Sequence, residues 1–83
     1  MEFKEYEIIG VYHVDTYEKK ESHQRKIGRV CSKIFVEIDC SMIIHFDKYQ
    51  VTMTSEVQDW FNFYNELWVM TKNSVYRFKK IGG

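Results

Sequence analysis

Apolar and polar residues along this chain alternate mostly with a period of two, the spacing of a strand with one face buried. From Val30 to Ile38 the even positions carry Val30, Ser32, Ile34, Val36 and Ile38, and the odd ones Cys31, Lys33, Phe35 and Glu37, which predicts a strand with the even row inward. A turn at Asp47-Lys48 would set Phe46 against Tyr49, Ile44 against Val51 and Met42 against Met53, all on one side of a hairpin. Slipping that register by one residue would turn the whole apolar row into water. The clearest hairpin is "LWVMTKNSVYRFKKI". A loop at Lys72-Asn73 or at Asn73-Ser74 puts Leu67, Val69, Thr71, Tyr76 and Phe78 on one side, and Trp68, Met70, Val75 and Arg77 on the other. Asn73 suits a left-handed turn, and Ser74 can bond nearby backbone, so the polar interruption needs only a structural explanation.

"TSEVQDWFNFYNELW" supports two readings. As a helix, Ser55 caps, Gln58 completes a capping box, and Val57, Trp60, Phe61 and Tyr64 share a face. As a strand, the segment turns at Asn65-Glu66 and pairs Tyr64 with Leu67, Asn62 with Val69 and Trp60 with Thr71. Its density of aromatic residues favours the strand. Gly10 interrupts "EYEIIGVYHV", apolar on both faces, and predicts a bulge or sharp bend. Apolar character on both faces of the first and last segments means either that the sheet curls so that Trp68 and Met70 are covered by another segment, or that they mark a partner surface, and together these segments argue for strong curvature. The expected fold is all-β: a small, strongly curved antiparallel sheet or partly open barrel of about five to seven strands, with a short helix near residues 56–64 as the alternative. Residues 17–29, polar and without period, read as an exposed charged loop.

Composition sharpens this picture. The chain has 83 residues, 45% hydrophobic and 17% aromatic, enough for one modest core and a single domain over 1–83. No apolar run approaches the roughly 20 residues of a membrane span, and the acidic "MEFKEYEIIG" lacks the order of a signal peptide. A soluble, cytoplasmic protein is expected, in which Cys31 and Cys40 are free thiols. The net charge of zero hides four blocks of alternating sign. Residues 1–18 carry one base and five acids, 19–33 six bases and one acid, 34–66 one base and six acids, and 67–83 four bases and no acid.

Catalytic and cofactor chemistry find little support. Cys31, Cys40, His13, His23 and His45 lack the spacing of a metal site. His45 and Asp47 share a strand row, but no nucleophile motif accompanies them, and the glycines form no phosphate loop. The expectation is a protein that is not an enzyme and carries no cofactor or metal. Gly82 and Gly83 look like the di-glycine tail of ubiquitin-like and sulfur-carrier proteins, but the central helix of that fold has no counterpart, so a frayed terminus explains them better.

Binding is the remaining class. Trp60, Phe63, Trp68, Met70 and Arg77 have the residue types of an interface centre, and are the expected partner-binding residues. The alternative is a small nucleic-acid-binding barrel gripping phosphates with Lys19, Lys20, Arg25, Lys26, Arg29, Lys33, Lys79 and Lys80. Pairing of an open sheet edge with a second copy would give a homo-oligomer. "TSEV" at Thr54 to Val57, followed by "TKNSVY" at Thr71 to Tyr76, resembles a pattern at the C-terminus of small, uncharacterised β-rich phage and prophage proteins. That resemblance implies that Thr71 to Tyr76 lies in the last hairpin and that the protein comes from a mobile element. An inhibitor or regulator that binds a host protein, for instance a defence factor, is the corresponding functional expectation.

Overall fold

A computed structural model describes residues 1–47 and 49–81. Six strands run in chain order: β1 (Glu2–His13), β2 (Val30–Phe35), β3 (Ser41–His45), β4 (Val51–Phe63), β5 (Glu66–Thr71) and β6 (Ser74–Lys80). Each pairs antiparallel with its sequence neighbours, and β6 returns to pair with β1, so the sheet closes into a ring. The ring is not a regular barrel: β2 and β3 share only a short ladder, and β4 pairs through its first half with β3 and through its second with β5. Ring closure gives all six strands two neighbours, so no strand is unpaired along the whole of one side. The helix alternative for 56–64 is overturned, because that segment is the second half of β4. The one helical element described is a 3-10 helix, Glu21–Lys26, inside the expected loop.

Three bulges bend the strands: between Ile8 and Gly10, between Ser41 and Ile43, and between Val57 and Asp59. The first lies where Gly10 predicted it. A fourth irregularity was not legible. Phe3 pairs with Ile34, and Tyr6 with Cys31, and both pairs turn toward the core although three residues separate them on each strand. An odd separation demands that both strands roll over in between. Glu5, at φ 59°, supplies that roll in β1, and its carbonyl accepts a hydrogen bond from the Ile81 amide at 3.0 Å. The predicted even row of β2 is corrected accordingly: Cys31, Ile34 and Val36 are buried, while Val30 and Ile38 are exposed.

The last hairpin has the predicted faces, with Leu67 opposite Phe78 and Val69 opposite Tyr76 across a Lys72-Asn73 loop. Its inner row is buried throughout. Asn73 is not left-handed; the turn is held by Thr71 instead. The Thr71 hydroxyl donates to the Ser74 carbonyl (3.0 Å) and accepts from the Ser74 amide (3.0 Å) and the Ser55 hydroxyl (2.9 Å), which uses its full capacity.

Two hairpin registers differ from expectation. The β4–β5 turn is Tyr64-Asn65, so Trp60 meets Val69 and Asn62 meets Leu67, a shift of two residues that keeps the faces. The β3–β4 hairpin shifts by one: Ile44 meets Thr52, His45 meets Val51 and Ile43 meets Met53. Asp47 explains it, since its carboxylate accepts hydrogen bonds from the Tyr49 and Gln50 amides (2.8 and 2.9 Å) and holds a longer connection than two residues. Val51 and Met53 therefore point outward, 49% and 66% exposed. Lys48, the other residue of the expected turn, and Gly82-Gly83 lie outside the described residues.

Candidate functional site

The outer face of β4, β5, β6 and β1 carries the most organised set of side chains. One cross-strand row is Phe61, Trp68, Arg77 and Gly10; the next is Asp59, Met70, Val75 and Tyr12. Tyr12 and Trp68 belong to strands on either side of β6, and strands two apart are about 9.6 Å from each other. Yet their ring centroids lie 6.2 Å apart with planes within 16°, so the rings lean together over β6. Val75, which points outward on β6, is fully buried as a result, although it is not part of the main core. Phe61 stacks on the other side of Trp68 at 5.9 Å and 11°.

Charge locks this stack in place. Arg77 donates two hydrogen bonds to Glu66, at 2.6 and 3.0 Å, and its guanidinium sits 5.1 Å from the Trp68 ring centre. The Trp68 indole N–H donates to the same carboxylate at 3.2 Å. The hydrogen bonds from Arg77 hold the Glu66 carboxyl below the usual carboxylate range, and Glu66 in turn raises Arg77. Beside the stack, Phe63, Tyr64, Glu66, Trp68, Arg77 and Lys79 line an open groove of about 430 Å³.

Of the expected partner-binding residues, Phe63, Trp68, Met70 and Arg77 share this face. Trp60 does not: it is on the inner row opposite Val69 and packs edge-on against Phe3 at 5.4 Å. Tyr12 and Phe61 were missed. Phe61 has the parity of Phe63 and was accessible from the pattern, whereas Tyr12 depends on the bulge at Gly10 and on ring closure. A second exposed apolar surface, Phe35, Ile43, Val51 and Met53, lies on neighbouring strands β2 to β4 and exists because of the one-residue shift in the β3–β4 hairpin.

The basic residues divide. Lys20, Lys26 and Arg29 gather around the 3-10 helix, and Arg25 is exposed on it. Lys19 bridges to Tyr12, and Lys33 sits on β2 between Lys4 and His45. Lys79 and Lys80 are at the far end of β6, where the Lys80 ammonium donates to the Lys4 carbonyl at 3.2 Å. Lys79 and Lys80 therefore lie at the opposite end of β6 from the turn that holds Lys20.

Burial pushes the Cys31 thiol up to about 12, whereas Cys40 is exposed. Among the described residues, no three His, Cys, Asp or Glu side chains converge on a point that could hold a metal ion. His45 and Asp47 line one groove with Ser32, but the Ser32 hydroxyl donates to the His45 carbonyl (3.1 Å) and not to its imidazole. Among the described residues, no helix is long and apolar enough to cross a membrane. No protein-family model, curated protein or solved structure matches the chain.

Proposed function

We propose that this protein is a non-enzymatic binding module that docks a protein partner on the face formed by Tyr12, Phe61, Phe63, Trp68, Met70 and Arg77. The observation that carries this reading is the Tyr12, Trp68 and Phe61 stack held on the outside of the ring by the Glu66–Arg77 pair. Trp, Tyr and Arg dominate the energetic centres of interfaces, because a large rigid ring buries much area and loses little side-chain entropy. Here that entropy is already lost in the free protein, so binding forfeits less on docking. With Arg77 neutralised by Glu66, the face is mainly apolar, which favours protein over nucleic acid at this location. A host protein as the target of a mobile-element product is the version that the C-terminal hairpin resemblance favours.

The test compares tagged wild-type protein with Trp68→Ala, Phe61→Ala and, on the second apolar surface, Met53→Ser in quantitative affinity capture from one lysate. A partner retained by wild type and Met53→Ser, but held about 10- to 100-fold more weakly by Trp68→Ala and Phe61→Ala, supports the assignment. Equal capture of every retained protein by all four chains would refute it.

A further inference from the structure

The cations around the 3-10 helix form a second, separate feature. Lys20 leads into the helix, Lys26 ends it and Arg29 follows it. Two of the three are fixed. The Lys20 ammonium donates to the Ser74 hydroxyl at 2.6 Å and to the Asn73 carbonyl at 3.1 Å, which pins it to the β5–β6 turn. The Arg29 guanidinium lies 3.9 Å above the Phe46 ring centre and donates to the Gln50 side chain, which pins it beside the β3–β4 connection. Lys26, whose carbonyl accepts a hydrogen bond from the Arg29 amide at 3.2 Å, is within electrostatic reach of both.

Among the described residues, no acid forms an ion pair with these three cations; the carboxylate at the β3–β4 connection, that of Asp47, is engaged by the Tyr49 and Gln50 amides. Asp15, Glu18 and Glu21 of the same segment are exposed, and among the described residues none of them forms an ion pair with Lys20, Lys26 or Arg29. The mutual repulsion is felt: after burial, the neighbouring cations Arg29 and Lys20 are the causes that lower Lys26, and Lys26, Lys20 and His13 lower His23. An arrangement that holds like charges together and leaves them unpaired is relieved by an anion. Their placement decides which kind. The cations are spread from one hairpin connection to another, and the groove beside the helix, lined by Lys19 and Gln24, measures only about 90 Å³. A small anion is held by donors converging in a pocket; spaced cations on an open surface match repeated phosphates.

We infer that Lys20, Lys26 and Arg29 form a sequence-independent contact site for the phosphodiester backbone of a nucleic acid. The site is distinct from the aromatic face, and it uses only one of the two basic segments of the sequence. Lys33, Lys79 and Lys80 take no part in it.

Fluorescence anisotropy of the full-length protein with a labelled 15-nucleotide oligothymidine and with a labelled 15-base-pair duplex, at two salt concentrations, tests this. Three neutralised phosphates predict an affinity loss of about 20-fold for the single strand, and about 40-fold for the duplex, on a fourfold rise in salt. Lys26→Gln should reduce the single-strand loss to about sevenfold, Lys26→Arg should restore it, and Trp68→Ala should leave it unchanged. Circular dichroism confirms that each variant is folded. Absence of binding at low salt, salt-independent binding, identical behaviour of Lys26→Gln and wild type, or equally tight binding of a polyglutamate peptide of matched charge would each overturn the assignment. Loss of the protein-docking reading would leave these results unaffected.

Discussion

Gly10→Ala should change the sign of its effect on stability according to whether Tyr12 is present. Gly10 does not have a positive φ, so alanine is allowed there by the backbone. A Cβ at this position would overlap the Tyr12 hydroxyl oxygen and lie 2.5 Å from its Cζ, far inside van der Waals contact. The ring must therefore leave its place over the glycine. Displacing it breaks the stack with Trp68, worth about 0.5–1.5 kcal/mol, and partly uncovers Val75, for roughly another 1 kcal/mol. Against this, alanine reduces the freedom of the unfolded chain and stabilises by about 0.4–1 kcal/mol. The net expectation is a loss of about 1–2 kcal/mol, or roughly 4–15 °C in Tm for a domain of this size. In a Tyr12→Ala background no ring has to move, and the same substitution should stabilise by about 0.5–1 kcal/mol, giving a coupling near 2 kcal/mol. Urea denaturation of the four proteins, followed by tryptophan fluorescence at constant m, measures this cycle. An effect of Gly10→Ala with the same sign and size in both backgrounds would show that Tyr12 does not cover the glycine.

Two other predictions address the register and the charge lock. Met42 is fully buried and Met53 is exposed, so Met42→Ala should cost about 2–5 kcal/mol and Met53→Ala less than about 0.5 kcal/mol. Comparable costs in chemical denaturation would restore the register read from the apolar pattern. The folded-state pKa of Glu66 is depressed by Arg77, so its contribution is fully present above the unfolded value of about 4.3 and fades as pH falls through the lower folded value. Both partners are about one-third exposed, which limits the contribution to about 1 kcal/mol. Stability measured from about pH 2.5 to 7 should fall less steeply on acidification in Glu66→Gln, and an unchanged slope below about pH 4.3 would contradict the pairing.

Local pattern and distant pairing contributed differently to what was legible. The β5–β6 hairpin could be read because its faces are fixed by parity over a few residues and either candidate loop preserves them. Strand character in β4 followed from its aromatic density, and the bulge at Gly10 from the lack of a side chain within a two-sided apolar strand. The β3–β4 register was misread because three apolar pairs outweighed Asp47, whose two hydrogen bonds to backbone amides hold a longer connection. Nothing in the pattern marks Glu5 as left-handed, and that dihedral lets Phe3 and Tyr6 of β1 both enter the core.

The same division holds for the candidate sites. Residue types alone singled out Trp68, Met70 and Arg77, because an apolar back to an already apolar hairpin needs a cover or a partner. Trp68 is partly covered by Tyr12, some sixty residues away in sequence, brought across β6 by ring closure. Trp60, of the same chemistry, pairs into the row of Leu67, Val69 and Thr71 in the expected and the observed register alike, and so lies inward, opposite Val69. Likewise the sequence determined that the basic residues come in two blocks, but the fold set Lys20, Lys26 and Arg29 around one helix and left Lys79 and Lys80 at the other end of β6. The sequence by itself determined the all-β class, the residue types available to the outer faces and the last hairpin, since these rest on side-chain chemistry and spacing within short segments. Which side chains share a surface was decided only by the tertiary structure, because a closed ring makes neighbours of residues whose separation along the chain carries no periodic signal.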